Sequence, residues 1–213
     1  MINTNDFFSD LKNYNDVSTK KIKTYILKRS NINEGLLSLR NCQLTTLPPS
    51  IGDIKGLKSL DLSFNKLKFI PTSISNLKSL IKLNINSNRL KDLPISIQNL
   101  SYLKFLDLSF NDLTFIPEGV FSLGSLEFLD LSNNFITLVS ESLSNLKQLE
   151  FLDLSYNMLE KLPESIIAMQ SLKTLYINQN QLKYLPISTR SFKFIENLDY
   201  SGNPFINHSD LEK

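Results

Sequence analysis

The sequence predicts an α/β solenoid, a curved horseshoe with eight short parallel strands on its concave face and short helical or 3₁₀ turns on its convex face. Two observations predict this fold. Asparagines recur every 23 residues, and leucine-type residues keep fixed places around each of them. Self-similarity at such a period indicates a stacked array, in which each unit buries its apolar side chains against a copy of itself.

The asparagine ladder sets the register of the repeat. One period before the first asparagine lies Cys42, so eight units follow one another without an insertion. We number each unit so that this residue is position 9. The seven asparagines of the ladder are Asn65, Asn88, Asn111, Asn134, Asn157, Asn180 and Asn203.

The strand of each unit is predicted at positions 4 to 7. Apolar residues at positions 4 and 6 alternate with polar residues at 5 and 7, which is typical of a short strand with one buried face. We therefore expect Leu106 and Leu108 to point into the core, and Asp107 and Ser109 to point outward. Eight strands at about 4.8 Å spacing give an array roughly 35 Å long.

The position-9 side chain follows the strand, where the chain turns. An asparagine amide carries a donor and an acceptor, so we expect it to bond backbone groups of its own turn and of the next one. Cys42 offers only a weak donor at the first unit, and we interpret it as a member of the ladder and not as a reactive thiol.

Proline occupies position 15 in most units. Because it has no amide hydrogen and a fixed φ, it is expected to end strand pairing and to turn the chain onto the outer face. The xxIxxL spacing that follows suits one or two turns of α or 3₁₀ helix. These prolines are Pro48, Pro71, Pro94, Pro117, Pro163 and Pro186.

The combined pattern, LxxLxLxxNxLxxLPxxIxxL, resembles the leucine-rich repeat family from about Gly35 to His208. The 23-residue unit with LPxxIxxL is similar to the class found in the Ras-suppressor protein, Ras-binding scaffolds, Scribble-type polarity proteins and many bacterial leucine-rich repeat proteins. This resemblance implies a non-enzymatic scaffold that binds a protein partner, in some members a small GTPase or a phosphatase subunit.

The repeat divides the chain into three parts. Residues 1–34 lie outside the register and are predicted to form an N-terminal helical cap. Residues 35–208 form the leucine-rich repeat domain of eight units, and residues 209–213 form a C-terminal tail. The eighth unit has no proline turn, so Tyr200, Pro204 and Phe205 cover its core, or the chain once continued, or this edge pairs with another molecule.

Composition excludes several classes of partner. Lys and Arg number 23 against 21 Asp and Glu, and a net charge of +2 lacks the strong positive field of a nucleic-acid binder. No segment approaches the roughly 20 apolar residues of a membrane span, and no Sec-type signal is visible. A single cysteine fits a reducing compartment. We expect a cytoplasmic protein without a nucleic-acid or membrane partner, and delivery into a host cell stays open as the alternative.

The sequence offers no catalytic constellation. Its only histidine is His208, and its six glycines form no phosphate-binding motif. We therefore expect no enzyme activity, no cofactor and no metal site. Aspartates recur at position 5, where Asp107, Asp130 and Asp153 are predicted about 5 Å apart, so raised pKa values or an attracted cation are a minor alternative to plain solvated side chains.

The candidate site is an aromatic stripe at position 3, on the concave side. Phenylalanine fills this position in three successive units, between polar occupants. An exposed apolar surface bordered by charge is typical of an interaction site, and aromatic residues carry much interface energy. We interpret the position-8 aromatics Phe64, Phe110 and Tyr156 as packing against the next unit, and a place in this apolar surface is the alternative. The predicted partner-binding residues are Phe105, Phe128, Phe151, Asp107, Asp130, Asp153, Tyr176 and Lys82.

Three functions remain open at this point. The first is a monomeric module that binds a protein partner on the concave face. The second is a pathogen effector with the same fold that acts on host signalling proteins. The third is a self-associating structural element that uses the open C-terminal edge around Phe205.

Overall fold

The computed structural model describes residues 35–186 and 194–206. The predicted N-terminal cap and C-terminal tail lie outside these residues. The described chain contains eight strands of three residues each. They are β1 Leu36–Ser38, β2 Ser59–Asp61, β3 Lys82–Asn84, β4 Phe105–Asp107, β5 Phe128–Asp130, β6 Phe151–Asp153, β7 Thr174–Tyr176 and β8 Asn197–Asp199.

The strands form one open parallel sheet in chain order, from β1 to β8. Each pairing advances the register by one repeat, so that Leu106 lies opposite Leu83 on one side and Leu129 on the other. The prediction of eight parallel strands is confirmed. Because the register never slips, equal positions of neighbouring units lie side by side across the sheet.

In the described part of the chain, a 3₁₀ turn covers the outer face of six units. In five of them a position-15 proline precedes the turn, and in the sixth Ser140 takes that place with φ −68° and ψ 149°. The Ser140 hydroxyl oxygen accepts the Ser142 N–H at 3.2 Å, so it caps the turn that proline begins elsewhere. The turns are Pro49–Asp53, Thr72–Asn76, Ile95–Asn99, Glu118–Ser122, Glu141–Asn145 and Glu164–Ala168.

The leucine-type residues of all units form one continuous core between the sheet and the 3₁₀ turns. Within the fourth unit, Leu106, Leu108 and Leu113 are fully buried. Burial of such a side chain contributes roughly 1.5–3 kcal/mol. Within the described residues, no helix is long and apolar enough to span a membrane.

The asparagine ladder connects each unit to the one before it. Asn111 Oδ1 accepts the Leu90 N–H at 2.9 Å, and its Nδ2 donates to the carbonyls of Ile85 and Leu108, each at 3.1 Å. Our expectation that the amide would reach the next unit was therefore wrong. The Leu108 carbonyl at position 6 also accepts a hydrogen bond from Asn134 of the following unit, at 3.0 Å, so each asparagine bonds its own unit and the preceding one.

Cys42 holds the first place of this ladder. It is buried, its N–H donates to Asn65 Oδ1 at 3.0 Å, and its Sγ lies 3.4 Å from the Arg40 carbonyl oxygen. The thiol is thus part of the first turn, in the position that the register predicts.

Position 8 has a left-handed backbone in every unit. At Phe110, φ is +53°, and the Phe110 N–H donates to the Ser132 carbonyl of the following unit at 3.0 Å. The sequence analysis did not predict this conformation. The same φ region holds at Asn41, Phe64, Ser87, Phe110, Asn133, Tyr156, Gln179 and Gly202.

The eighth unit covers part of its own core. The Tyr200 and Phe205 rings meet edge to face, with centroids 5.9 Å apart, and both rings are partly buried against the core together with Leu198. Tyr200 and Phe205 thus contribute to this cover, whereas Pro204 is exposed.

Candidate functional site

The position-3 phenylalanines form a stack on the sheet. Phe105, Phe128 and Phe151 lie opposite one another on β4, β5 and β6. Neighbouring ring centroids are 4.3 Å apart, and the rings are within 8° of parallel. All three side chains are half-buried because each ring covers a face of its neighbour. We call these three residues the phenyl stack.

Two further predicted residues extend the stack at its ends. The Lys82 Nζ lies 4.2 Å from the centroid of the Phe105 ring, a cation–π contact. At the other end Tyr176 meets Phe151 edge to face, with centroids 5.7 Å apart. The column of aromatic rings therefore runs from β4 to β7 and begins at a cation on β3.

A column of carboxylates runs beside the phenyl stack. Asp107, Asp130 and Asp153 occupy equal positions of three successive strands. Each Oδ1 accepts the N–H two residues further on, at 2.8–3.0 Å, which holds the end of its own strand. We call these three residues the aspartate column.

Asp107 differs from its two neighbours in the column. It is only 8% exposed, its Oδ1 also accepts the Ser109 hydroxyl at 2.7 Å, and its Oδ2 accepts the Asn86 amide at 2.9 Å. Both of its oxygens are therefore bonded within the protein, whereas Asp130 and Asp153 are only partly buried.

Burial shifts the pKa of two members of this column, Asp130 and Asp153. It raises the pKa of Asp130 from 3.8 to about 6, against the hydrogen bonds from Ser132, and repulsion by Asp107 and Asp153 adds to the rise. Burial likewise raises the pKa of Asp153. The two ion pairs of the described residues do not involve the column, so no lysine or arginine there neutralises it by a salt bridge.

The described residues contain no group of three His, Cys, Asp or Glu side chains arranged to hold a metal ion. The aspartate column is thus a row of carboxylates that hold strand ends and present negative charge. Its geometry provides no nucleophile and base pair.

The charged residues at position 2 of four successive units, the fourth to the seventh, pair with each other. Lys104 Nζ lies 2.6 Å from Glu127 Oε1, and Lys173 Nζ lies 2.8 Å from Glu150 Oε2. These exposed pairs add little stability, but they make the rim beside the phenyl stack electrically balanced. Because Lys104 and Glu127 are one repeat period apart, they lie side by side in neighbouring units, and this ion pair could have been predicted from the sequence.

The structure brings all eight predicted site residues onto neighbouring strands of one face, from β3 to β7. The position-8 aromatics do not pack against the next unit as interpreted from the sequence, since the Phe110 and Tyr156 side chains are 55% and 54% exposed. Phe64 is also exposed, with the Arg40 guanidinium 4.2 Å from its ring centroid. The sequence analysis missed four exposed apolar residues at position 13, namely Phe69, Phe115, Leu138 and Tyr184.

Comparisons with known proteins agree with this architecture. Residues 36–90, 55–113 and 101–159 each match the family model described as "Leucine rich repeat". Together these matches cover more than half of the chain, and the chain belongs to the leucine-rich repeat family. Comparison with curated proteins gave no significant match.

Three solved structures illustrate the similarity. A leucine-rich repeat protein of Leptospira interrogans is 36% identical, with a TM-score of 0.73 over 78% of this chain and 42% of that one. TLR13, solved as a complex with ssRNA13, is 29% identical, with a TM-score of 0.70 over 79% and 25% of the two chains.

The third structure is the ectodomain of the plant membrane receptor kinase GASSHO1/SCHENGEN3 from Arabidopsis thaliana, in complex with CASPARIAN STRIP INTEGRITY FACTOR 2. It is 31% identical, with a TM-score of 0.67 over 78% of this chain and 21% of that one. The chain spans less than half the length of each of these three proteins.

Proposed function

We propose that the protein is a non-enzymatic module that binds a protein partner on the concave face of units four to six. The observation that carries this proposal is the phenyl stack beside an aspartate column that forms no salt bridge within the described residues. Aromatic groups supply much of the energy of protein interfaces, and unpaired charge next to them gives orientation and specificity.

The charge of this face favours a protein over a nucleic acid. Asp130 and Asp153 stand on the concave side, where they would repel phosphate groups, and the rim cations Lys104 and Lys173 are already paired with glutamates. TLR13 was solved with an RNA, but that ligand does not fit the charge pattern found here. We place the module in the cytoplasm as a monomer, with a small GTPase or phosphatase subunit as the kind of partner that the family resemblance suggests.

The test is affinity capture from lysates of the source cell and of a candidate host. The informative variant carries Phe105→Glu, Phe128→Glu and Phe151→Glu, and circular dichroism should confirm that it still folds. We expect the wild type to retain a defined protein that the variant loses, because three carboxylates replace the apolar contact surface.

A matched control carries Ile95→Glu and Tyr102→Glu, two exposed apolar residues that lie off the sheet. This control should retain the same protein as the wild type. If the wild type, the triple variant and the control all capture an identical set of proteins, the phenyl stack is not the binding site.

A further inference from the structure

A second exposed apolar surface lies away from the concave face. Because all eight strands are parallel, the loops that leave their carboxyl ends lie along one edge of the sheet. We call positions 8, 10, 12 and 13 of units two to seven the loop edge. Its exposed large apolar side chains are Phe64, Phe69, Phe110, Phe115, Phe135, Leu138, Tyr156, Met158 and Tyr184.

Six of these residues belong to three adjacent units, the fourth to the sixth, and are 41% to 55% exposed. Backbone contacts hold their loops side by side. Phe115 and Leu138 form a parallel bridge, and the Phe135 and Met158 N–H groups donate to carbonyls of the preceding unit at 2.8 and 2.9 Å. A contiguous apolar area of this kind on a protein surface usually marks a contact with another molecule.

Positive charge accompanies the apolar side chains. The loop edge carries six cations and three acids, a net charge of +3, compared with +2 for the whole chain. In one loop two lysines, Lys66 and Lys68, lie between the phenylalanines Phe64 and Phe69, and all four are exposed. None of the loop-edge charges belongs to the two ion pairs of the described residues. The cations are Lys66, Lys68, Arg89, Lys91, Lys161 and Lys183, and the acids are Asp92, Asp112 and Glu160.

We propose that the loop edge docks on the surface of an anionic lipid bilayer. Lysines and arginines are attracted to acidic headgroups, and aromatic side chains favour the interface between headgroups and acyl chains. A row of loops with outward side chains suits a flat partner. A second copy of the chain would bring one edge of charge +3 against another, so repulsion opposes that occupant.

This proposal differs from the expectation of a protein without a membrane partner. That expectation rested on the absence of an apolar span, and a peripheral contact needs none. The docking surface also differs from the concave face, so a lipid surface and a protein partner can be bound together.

Sedimentation with lipid vesicles tests the proposal. The full chain is mixed with vesicles of phosphatidylcholine alone, or of phosphatidylcholine with phosphatidylserine, at low and at high ionic strength. We expect the bound fraction to be at least about fivefold larger on the anionic vesicles, and to fall with added salt as the charges are screened.

Two variants examine the two parts of the surface. Lys66→Glu with Lys68→Glu should abolish the preference for anionic vesicles, and Phe115→Ser with Phe135→Ser should lower binding to them at every salt concentration. Matched controls carry Lys55→Glu with Lys78→Glu, or Ile95→Ser with Tyr102→Ser, all exposed residues off the loop edge. The controls should bind as the wild type does.

The proposal is overturned if the wild type does not sediment with anionic vesicles, or if controls and loop-edge variants lose binding equally. Capture on immobilised polyglutamate, with no binding to vesicles, would assign the edge to an acidic protein and also overturn it. A Phe128→Glu variant should still bind vesicles, so failure of the concave-face proposal and failure of this one are distinguishable.

Discussion

The amide of Asn111 satisfies backbone groups that no strand neighbour reaches. It accepts one N–H from the preceding unit and donates to three carbonyls, those of Ile85, Leu108 and Ser109, and it is 4% exposed. Removing the amide takes a hydrogen-bond partner from each of these buried groups, which is expensive in a site that water does not reach.

We therefore predict that Asn111→Ala lowers the free energy of unfolding by about 2–4 kcal/mol, because each unsatisfied buried group costs about 1–3 kcal/mol. Asn203→Ala, in the more exposed eighth unit, should have a smaller effect, since water can reach the freed groups. Urea unfolding of the two variants measures the difference. Equal losses would contradict a role for burial.

The raised pKa of Asp130 leads to a second prediction, which concerns the pH dependence of stability. The unfolded chain loses the Asp130 proton near pH 3.8, whereas the folded chain keeps it until about pH 6. Between these values the folded state binds more protons than the unfolded state, so the contribution of this residue to stability falls as pH rises. At neutral pH the ionised carboxylate destabilises the fold.

We predict that Asp130→Asn stabilises the protein at pH 7.5 by about 1–2 kcal/mol, after a discount for solvent screening, and has almost no effect near pH 4. The amide keeps the acceptor for the Ser132 N–H, as Asn84 Oδ1 does for the Asn86 N–H at 3.0 Å. Denaturant unfolding at both pH values tests this. A gain of equal size at pH 4 would show that ionisation is not the cause.

At the scale of the elements, the pairing of β4, β5 and β6 places the position-3 phenylalanines side by side, so that their rings form the phenyl stack. Phe128 on β5 has a ring on each side, from β4 and β6, and both ring pairs are nearly parallel. Such aromatic pairs contribute about 0.5–1.5 kcal/mol beyond the area that they bury. The stack therefore adds to the attachment of each unit to the next, besides forming the candidate binding surface.

Double-mutant cycles with leucine substitutions should measure this contribution. For Phe105→Leu with Phe128→Leu, we expect a coupling of about 0.5–1.5 kcal/mol, since the two rings are in contact. For Phe105→Leu with Phe151→Leu the coupling should be below about 0.5 kcal/mol, because a third ring separates them. Thermal or urea unfolding provides the four free energies of each cycle, and the reverse order of couplings would rule out a contribution from stacking.

For the whole molecule, stability comes from contacts between neighbouring units. Each strand pair repeats the same register, and the core continues through the described repeats without a boundary. A solenoid of this kind is approximately a sum of units and of the interfaces between neighbours. Its length can therefore change in steps of one repeat.

We predict that deletion of residues 103–125, one whole unit, leaves a folded protein with a lower melting temperature. The new junction joins position 23 of one unit to position 1 of another, so every pairing partner keeps its place. Deletion of residues 103–124, one residue shorter, shifts the register and should prevent cooperative unfolding. Circular dichroism with thermal melts compares the two, and similar melts would contradict the importance of register.

The period predicted more of the fold than of the site. Side chains along a strand point alternately to its two faces, so the apolar residues at positions 4 and 6 share one face, which must be the buried one. The alternation of apolar and polar residues in the sequence shows this directly. The sequence did not show that the Asn111 amide bonds the preceding unit and not the next one. Which unit it bonds depends on the direction of the backbone carbonyls, and that direction is independent of residue type. The burial of Asp107 was missed because it arises from Asn86 and Ser109 together.

The exposure of Phe110 was the less favoured of two interpretations for a related reason. Its side chain stands outward because its backbone is left-handed, and phenylalanine gives no sign of that conformation. The eight residues at position 8, taken together, do indicate a left-handed backbone, since none of them is β-branched or proline. Side chains of those types are the least compatible with positive φ.

The position-8 backbone therefore offers a place for protein engineering. Its conformation is held by main-chain hydrogen bonds to the neighbouring unit, while natural occupants range from glycine to tyrosine. A combinatorial library that varies these eight sites, with β-branched residues and proline left out, would change a row of surface side chains about 4.8 Å apart. The leucines that hold the fold would stay untouched, so the protein would serve as a scaffold for selecting new binders.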